Sequence, residues 1–374
     1  MTVPLSILDL APVKSGGTPG QALHDTIDLA RRAEEFGYLR YWLAEHHLAP
    51  GVASSAPQVL IALVAAATER IRVGSGAVQT GHWTALAIAE QFATIDALYP
   101  GRIDLGLGRS GQRRKELYEG TAAPPPAEEP RIVDGLLLPR PFDFSILASS
   151  PVVRLFGSLL QQPGAESPDF AEQVDAISAL LDGSFATEGV PAHVVPGENS
   201  DLTVWILGSS GGESARVAGE RGLPFAANYH VAPSHVLEAV EAYRAAFKPS
   251  DVLSEPYVSV SADVVVAPTD EEARELAAPY PVWVRSIRRE LRAIPYPTAE
   301  EAAAHVWTEE DRLLVADRVD TQFVGSPATV VERLETLRRV TGADELLVTT
   351  ITHGHEERVR SYGLLAEAWN NLTA

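Results

Sequence analysis

The chain has 374 residues, 50 acidic and 30 basic, a net charge of −20 and 45% hydrophobic side chains. That apolar content suffices for a large core and excludes a disordered chain, while the negative charge repels polyphosphate backbones and excludes nucleic acid as an expected partner. No cysteine is present, so disulfides, thiolate nucleophiles and Cys-ligated metals are excluded together.

Met1 to Leu10 carries no basic segment, and no run approaches the ~20 apolar residues that span a bilayer. The expectation is an unexported, cytoplasmic chain with no membrane partner. Short β-rich runs then alternate with helical patterns, the signature of parallel βαβ units. Leu5, Ile7 and Leu8 predict a first strand ending at Asp9. Leu23, Ile27, Ala30 and Ala33 recur at helical spacing, and Gly37 supplies a C-terminal stop. Tyr38 to Ala44 predicts the second strand. Pro57 opens a helix with Leu60, Leu63, Val64 and Ala67 on one face, and Ile71 to Val73 begins the third strand. Ile88, Phe92 and Ile95 mark a helix closed by Pro100-Gly101, before a fourth strand from Ile103 to Leu107.

From 108 to 168 the pattern dissolves into Pro, Arg and acidic residues, including Pro124-Pro125-Pro126. Such an excursion predicts a lid or a loop bordering the site. Regularity returns with a helix over Phe170–Leu181, a strand over Thr203–Leu207, a helix near Ser214–Glu220 and a short strand over Leu223–Ala226. Val236, Val240, Tyr243 and Phe247 line another helix, and Tyr257–Val266 alternates as a seventh strand. Asp270 to Asp320 is acidic and helical, with a break at Ile294-Pro295-Tyr296-Pro297. A helix through Val330, Leu334 and Leu337, an eighth strand from Glu345 to Thr350 and a closing helix through Tyr362 and Trp369 complete the chain. The count predicts an α/β chain built as a (β/α)8 TIM barrel with insertions, one domain over 1–374.

Ligands of such barrels gather where strands end, which singles out Asp9, His46, His47, Arg109, Ser209, Ser210 and His353. Adjacent side chains on an extended strand face opposite ways, so His46 and His47 do not converge, and a catalytic zinc needs three convergent ligands. His353 and His355 have better spacing for a metal but no matching cluster at the first strand. Metal ligation and plain hydrogen bonding in a packed rim both stay open for these histidines. Arg109 follows a strand running into Gly108; it fits a surface ion pair or a guanidinium clamp on phosphate. Gly208-Ser209-Ser210-Gly211-Gly212 joins a strand to a helix and fits a plain turn or an anion site of backbone amides. Together they suggest a phosphate between the fourth and fifth strands, outside the P-loop pattern, since no Gly-Lys-Ser/Thr follows.

The segments Ile7-Leu8-Asp9-Leu10-Ala11-Pro12-Val13, Glu45-His46-His47, Val73-Gly74-Ser75-Gly76, Ala89-Glu90-Gln91-Phe92, Leu98 to Arg109, Gly208-Ser209-Ser210 and Gly222-Leu223-Pro224-Phe225 occur in that order. So ordered, the chain resembles the bacterial luciferase-like flavin-dependent monooxygenase family. The resemblance implies reduced FMN supplied by a separate flavin reductase, with O2 oxygenating a small organic substrate such as an aldehyde through a flavin hydroperoxide. It implies that Arg109, Gly208, Ser209 and Ser210 hold the FMN phosphate with help from Ser214. Gly76 and Ala77 would form a cis peptide beneath the ring, with His46 the active-site histidine, His47 its support, and a homodimer the assembly. The stretch Gln79-Thr80-Gly81-His82-Trp83 departs from the family's apolar pattern. A deazaflavin-dependent hydride-transfer enzyme, a non-catalytic flavin-binding protein and a metal-dependent hydrolase are the alternatives.

Overall fold

The computed structural model describes residues 2–109, 112, 128–143, 150–162, 164–195, 197–198 and 200–372. Pro124-Pro125-Pro126 and the arginines at 113 and 114 lie outside these. Eight parallel strands form a closed barrel: β1 Leu5–Asp9, β2 Arg40–Leu43, β3 Arg72–Ser75, β4 Ile103–Gly108, β5 Thr203–Gly208, β6 Phe225–Asn228, β7 Val258–Val266 and β8 Glu345–Thr349. Closure comes from β4 against β5, with Thr203 opposite Asp104, and from β1 against β8, with Leu5 opposite Leu346.

Thirteen helices are described: α1 Pro19–Phe36, α2 Pro57–Ala67, α3 Ala85–Leu98, α4 Pro151–Leu159, α5 Phe170–Leu181, α6 Glu213–Glu220, α7 Val236–Ala246, α8 Asp270–Ala277, α9 Tyr280–Glu290, α10 Ala299–Ala303, α11 Glu309–Val319, α12 Pro327–Thr341 and α13 His355–Asn371. Their ends follow local chemistry. Thr18 caps α1 by accepting from the Gln21 amide, and Gly37 ends it at φ 86°, a conformation that glycine adopts without steric cost.

The period of two along each strand separates two cores. Ile7, Tyr41, Leu43, Val73, Leu105, Phe225, Val260 and Val348 face outward into the helix layer. Leu8, Trp42, Ala44, Trp205, Leu207, Ala226 and Leu347 belong to the second, inner cluster, which continues upward into Tyr280, Trp283 and Tyr296. At the N-terminal end of the barrel an ionic layer closes the interior. Arg40 reaches Asp104 at 2.8 Å and Glu345 at 3.0 Å, Arg72 reaches Asp104 at 2.6 Å, and the Trp42 indole donates to Asp104 at 3.0 Å. Burial alone would lower the Arg40 pKa; the two carboxylates outweigh it and raise it, so this cation stays charged.

Helices α8 to α11 form the excursion after β7, broken around Pro295 as the sequence predicts. Its 292–297 loop is stitched over the barrel mouth by backbone bonds: Gly51 N–H to Ala293 O at 2.7 Å, Tyr296 N–H to Val13 O at 2.7 Å, and Ser15 N–H to Tyr296 O at 2.9 Å. A Cβ at residue 51 would lie 1.8 Å from the Ile294 carbonyl oxygen, so this close approach requires Gly51.

The structure also differs from expectation. The second strand stops at Leu43, where the segment that follows is bonded instead to the loop that carries Ser54, whose hydroxyl donates to Ala44 O at 2.5 Å and whose carbonyl accepts the His46 amide at 2.8 Å. Within 108–168, an antiparallel hairpin pairs Arg131–Val133 with Leu136–Leu138, and α4 follows. Phe323–Gly325 adds a short strand beside the end of β7.

Candidate functional site

The C-terminal ends of the strands converge on a mouth where inward positions are small: Ala44 just after β2, Gly76 after β3 and Gly108 at the end of β4. A Cβ at Gly76 would lie 2.6 Å from Leu8 and one at Gly108 3.2 Å from Ala77, so side chains here would fill the space. The Gly76–Ala77 peptide is cis, at the place where the resemblance predicts it.

Arg109 follows β4, and Ser209 and Ser210 follow β5, the adjacent strand. The Arg109 Nε atom lies 2.9 Å from Glu213 Oε2, both side chains about a quarter exposed (24% and 23%). The fourth-strand guanidinium and the fifth-strand turn are thus brought together. Gly212 occupies the N-cap of α6, and no side chain caps that helix, so its first amides face the turn that carries Gly208, Ser209 and Ser210. Ser214 is buried in the first turn of α6, close behind Gly208. Cation, exposed amides and hydroxyls are the donor set that suits a phosphate monoester. Glu213, which contacts the arginine, escaped sequence reasoning: an acidic residue is not sought beside a candidate anion site, and the contact exists only in space.

His46 and His47 lie beyond the end of β2, outside the strand on which the sequence placed them. The His46 backbone N–H donates to Ser54 O at 2.8 Å and its side chain is half-buried. His47 lies 2.7 Å from Glu45 Oε1. Glu45 is a buried hub: it also accepts the Gln79 amide at 2.8 Å and the Trp83 indole N–H at 3.1 Å, while its own carbonyl accepts from Gln79 Nε2 at 2.5 Å. The departure at Gln79–Trp83 is therefore a polar clasp between the end of β2 and the segment leaving β3. Gln173 of α5 donates to Thr80 O at 2.9 Å and Trp83 O at 2.7 Å, and Gln161 and Ser167 both donate to Gly81 O, at 2.9 and 3.1 Å.

The remaining strand-end residues are bonded within the fold. Asp9 is fully buried and accepts from Tyr41 at 2.5 Å, Thr26 at 2.7 Å, Arg358 at 2.6 Å and the Ala11 amide at 2.8 Å. Burial would raise its pKa; the Arg358 charge and the hydroxyl donors overturn that and hold it below the ordinary carboxylate value. His353 contacts Ser15 O at 3.1 Å and His355 contacts Asp28 at 2.9 Å, so the pair is divided between separate partners. Among the described residues no group of three His, Asp or Glu side chains could hold a metal ion, and no helix is long and apolar enough to cross a membrane.

A further set was invisible in the sequence. On β7, Asp263 accepts from Tyr280 and from Arg318 at 3.1 Å. Arg318 lies over the rings of Tyr280 and Trp283 at 5.5 and 5.7 Å. His230, two residues beyond β6, shares a 2.5 Å hydrogen bond with Ser261.

Comparison with known proteins places these features. The luciferase-like monooxygenase family model matches residues 3–133 and 146–345. A luciferase-like monooxygenase of Escherichia coli (strain K12) is 34% identical over 99% of this chain and 98% of its own length. The crystal structure of apo-MsnO8 superposes with a TM-score of 0.78 at 33% identity, covering 99% of this chain and 98% of that one. Two structures share the fold alone. They are an FMN complex of the oxygenating constituent of 3,6-diketocamphane monooxygenase from Pseudomonas putida (TM-score 0.65, 18% identity, 98% and 97% covered) and an F420-dependent secondary alcohol dehydrogenase (0.60, 15%, 99% of each). With most of its length matched by the family model, this chain belongs to the luciferase-like monooxygenase family.

Proposed function

We propose that the chain takes reduced FMN from a separate reductase, together with O2, and oxygenates a small organic substrate in the barrel mouth. The observation that carries this is the Arg109–Glu213 contact, which sets a guanidinium beside the uncapped start of α6. Arg109, Gly208, Ser209, Ser210 and Ser214 would grip the phosphate; Gly76 and Ala77 would form the floor under the ring. When bound, reduced flavin supplies two electrons and activates O2. The chain positions, excludes water and manages the proton. His46 is the group for that proton at the mouth, since an imidazole exchanges protons near neutrality, and His47 supports it through the Glu45 clasp. The 108–168 insertion borders the site through Gln161 and Ser167, and a homodimer would cover apolar helix surface such as Val59 and Leu63 of α2, both exposed.

The test is a single turnover. Protein loaded anaerobically with reduced FMN is mixed with oxygen, and flavin reoxidation and hydrogen peroxide are followed. Reoxidation well below the rate of free flavin is expected, and His46→Ala should lose coupling to substrate while keeping FMN affinity. Reoxidation at the free-flavin rate would overturn the oxygenase role. Tighter binding of deazaflavin than of FMN would assign hydride transfer instead.

A further inference from the structure

The closed strand order sets β6 four places round the barrel from β2, so the ends of these strands face each other across the mouth. His46 stands at one and His230 at the other. We propose that His230, held by Ser261, recognises the substrate: its Nε2 accepts a hydrogen bond from an O–H or N–H group of the organic molecule. This rests on the monooxygenase reading only for what the mouth holds.

In the proposed tautomer Ser261 Oγ gives its hydrogen to Ala227 O, 3.4 Å away, and accepts the Nδ1–H of His230 at 2.5 Å. A neutral imidazole carries one N–H, which leaves Nε2 as a bare acceptor. Among the described residues Nε2 has no hydrogen-bond partner, and His230 as a whole is half-buried. Partly exposed just beyond the end of β6, the residue stands at the mouth end of the barrel.

The surroundings keep this state. Asp263 and Arg318 are the charged groups acting on the ring. Asp263, the one group that would favour a second proton, is already engaged by Tyr280 and Arg318. Burial, aided by the Arg318 charge and only partly opposed by Asp263, pushes the imidazole down to about 4. His230 is thus a fixed acceptor at neutral pH. An acceptor partly withdrawn from water and met by a donor discriminates against molecules that lack one, so the substrate class carries a hydroxyl or an amide-type N–H near its reacting end. A plain aliphatic aldehyde would leave Nε2 unmet.

The experiment uses the full-length 15N-labelled chain and long-range 1H–15N spectra, with His230 assigned by the signals lost in His230→Gln. The Nδ1–H tautomer is expected, without titration between about pH 5.5 and 8. Millimolar phenol should move the Nε2 resonance and bind roughly tenfold tighter than anisole, its methylated twin (about 1.4 kcal/mol). Ser261→Ala should release the tautomer, so that the Nδ1–H form no longer dominates. An Nε2–H tautomer, titration near pH 6.5 in the unaltered chain, or equal responses to phenol and anisole, including none, would overturn the proposal. Reduced-FMN affinity is measured alongside. Loss in His230→Gln alone would make His230 a cofactor ligand and overturn the substrate assignment. Failure of the unaltered chain to bind FMN would strike the flavin reading and leave the tautomer result standing.

Discussion

Replacing Arg109 by Met tests the phosphate grip directly, because it removes the cation and leaves Glu213 facing the anion. Each charge-assisted hydrogen bond of a guanidinium contributes about 1.5–3 kcal/mol, and the quarter exposure of both side chains argues for the lower part of that range. The uncompensated carboxylate adds repulsion, about 3 kcal/mol at ~5 Å and an effective dielectric of ~20 before salt screening. Together these predict a loss of about 2–4 kcal/mol, or roughly 30- to 900-fold in Kd for reduced FMN. Reduced riboflavin has the ring but no phosphate, and its affinity should change less than about threefold. Adding Glu213→Gln should recover part of the FMN loss by removing the repulsion. Anaerobic titration of both flavins at low and high salt checks this. Equal losses for FMN and riboflavin, or an unchanged FMN affinity, would refute a phosphate held at this turn.

Gly51→Ala should push the 292–297 loop off the mouth, because its Cβ would collide with the Ile294 carbonyl; a loss of about 1–3 kcal/mol in urea unfolding is expected, and an unchanged midpoint would show that the excursion does not press on Gly51. Asp9→Asn should cost about 3–5 kcal/mol at neutral pH by leaving Arg358 buried without its partner. Since the folded-state pKa of Asp9 is depressed, its stabilisation is present above the ordinary carboxylate range and disappears as pH falls through the folded value. Denaturation across the acid limb should accordingly be flatter in the variant, and parallel limbs would contradict the assignment. Trp83→Phe deletes one donor to Glu45 and should lower stability by about 1 kcal/mol, read as a shift in the urea midpoint at constant slope.

The barrel was legible because its strands are short, buried on both faces and punctuated by residues with fixed conformational roles. Pro57 and Gly37 lie where their backbone preferences put them, and Phe170–Leu181 is helical over the predicted span. The hairpin Arg131–Val133/Leu136–Leu138 and the strand Phe323–Gly325 escaped, since three-residue strands carry no measurable period. At the site, His46, Arg109 and the 208–210 turn could be found from strand ends and donor chemistry. Glu45, Glu213, Gly51 and His230 could not, because each acquires its meaning from a partner remote in sequence. Gly51 answers to Ile294, and His230 depends on which way the Ser261 hydroxyl points.

The two ends of the barrel differ in how completely their charges are committed, and that difference separates stability from function. At the N-terminal end Asp104 serves Arg40, Arg72 and Trp42, while Glu345 serves Arg40 and Tyr257; each carboxylate is spent on groups that would otherwise be buried and uncompensated. Asp9 belongs to the same economy although it stands at the C-terminal end, for its carboxylate is consumed by four donors and has no capacity left for a ligand. At the mouth, by contrast, Arg109 is only partly enclosed, and His46 and His230 are half-buried. Substitutions in the ionic layer should therefore lower unfolding free energy and leave flavin affinity alone, whereas changes at Arg109 should do the reverse. A barrel in which both groups of substitutions moved both quantities together would show that its mouth and its floor are coupled, which the separation of the two polar layers by Leu8, Trp205 and Leu207 argues against.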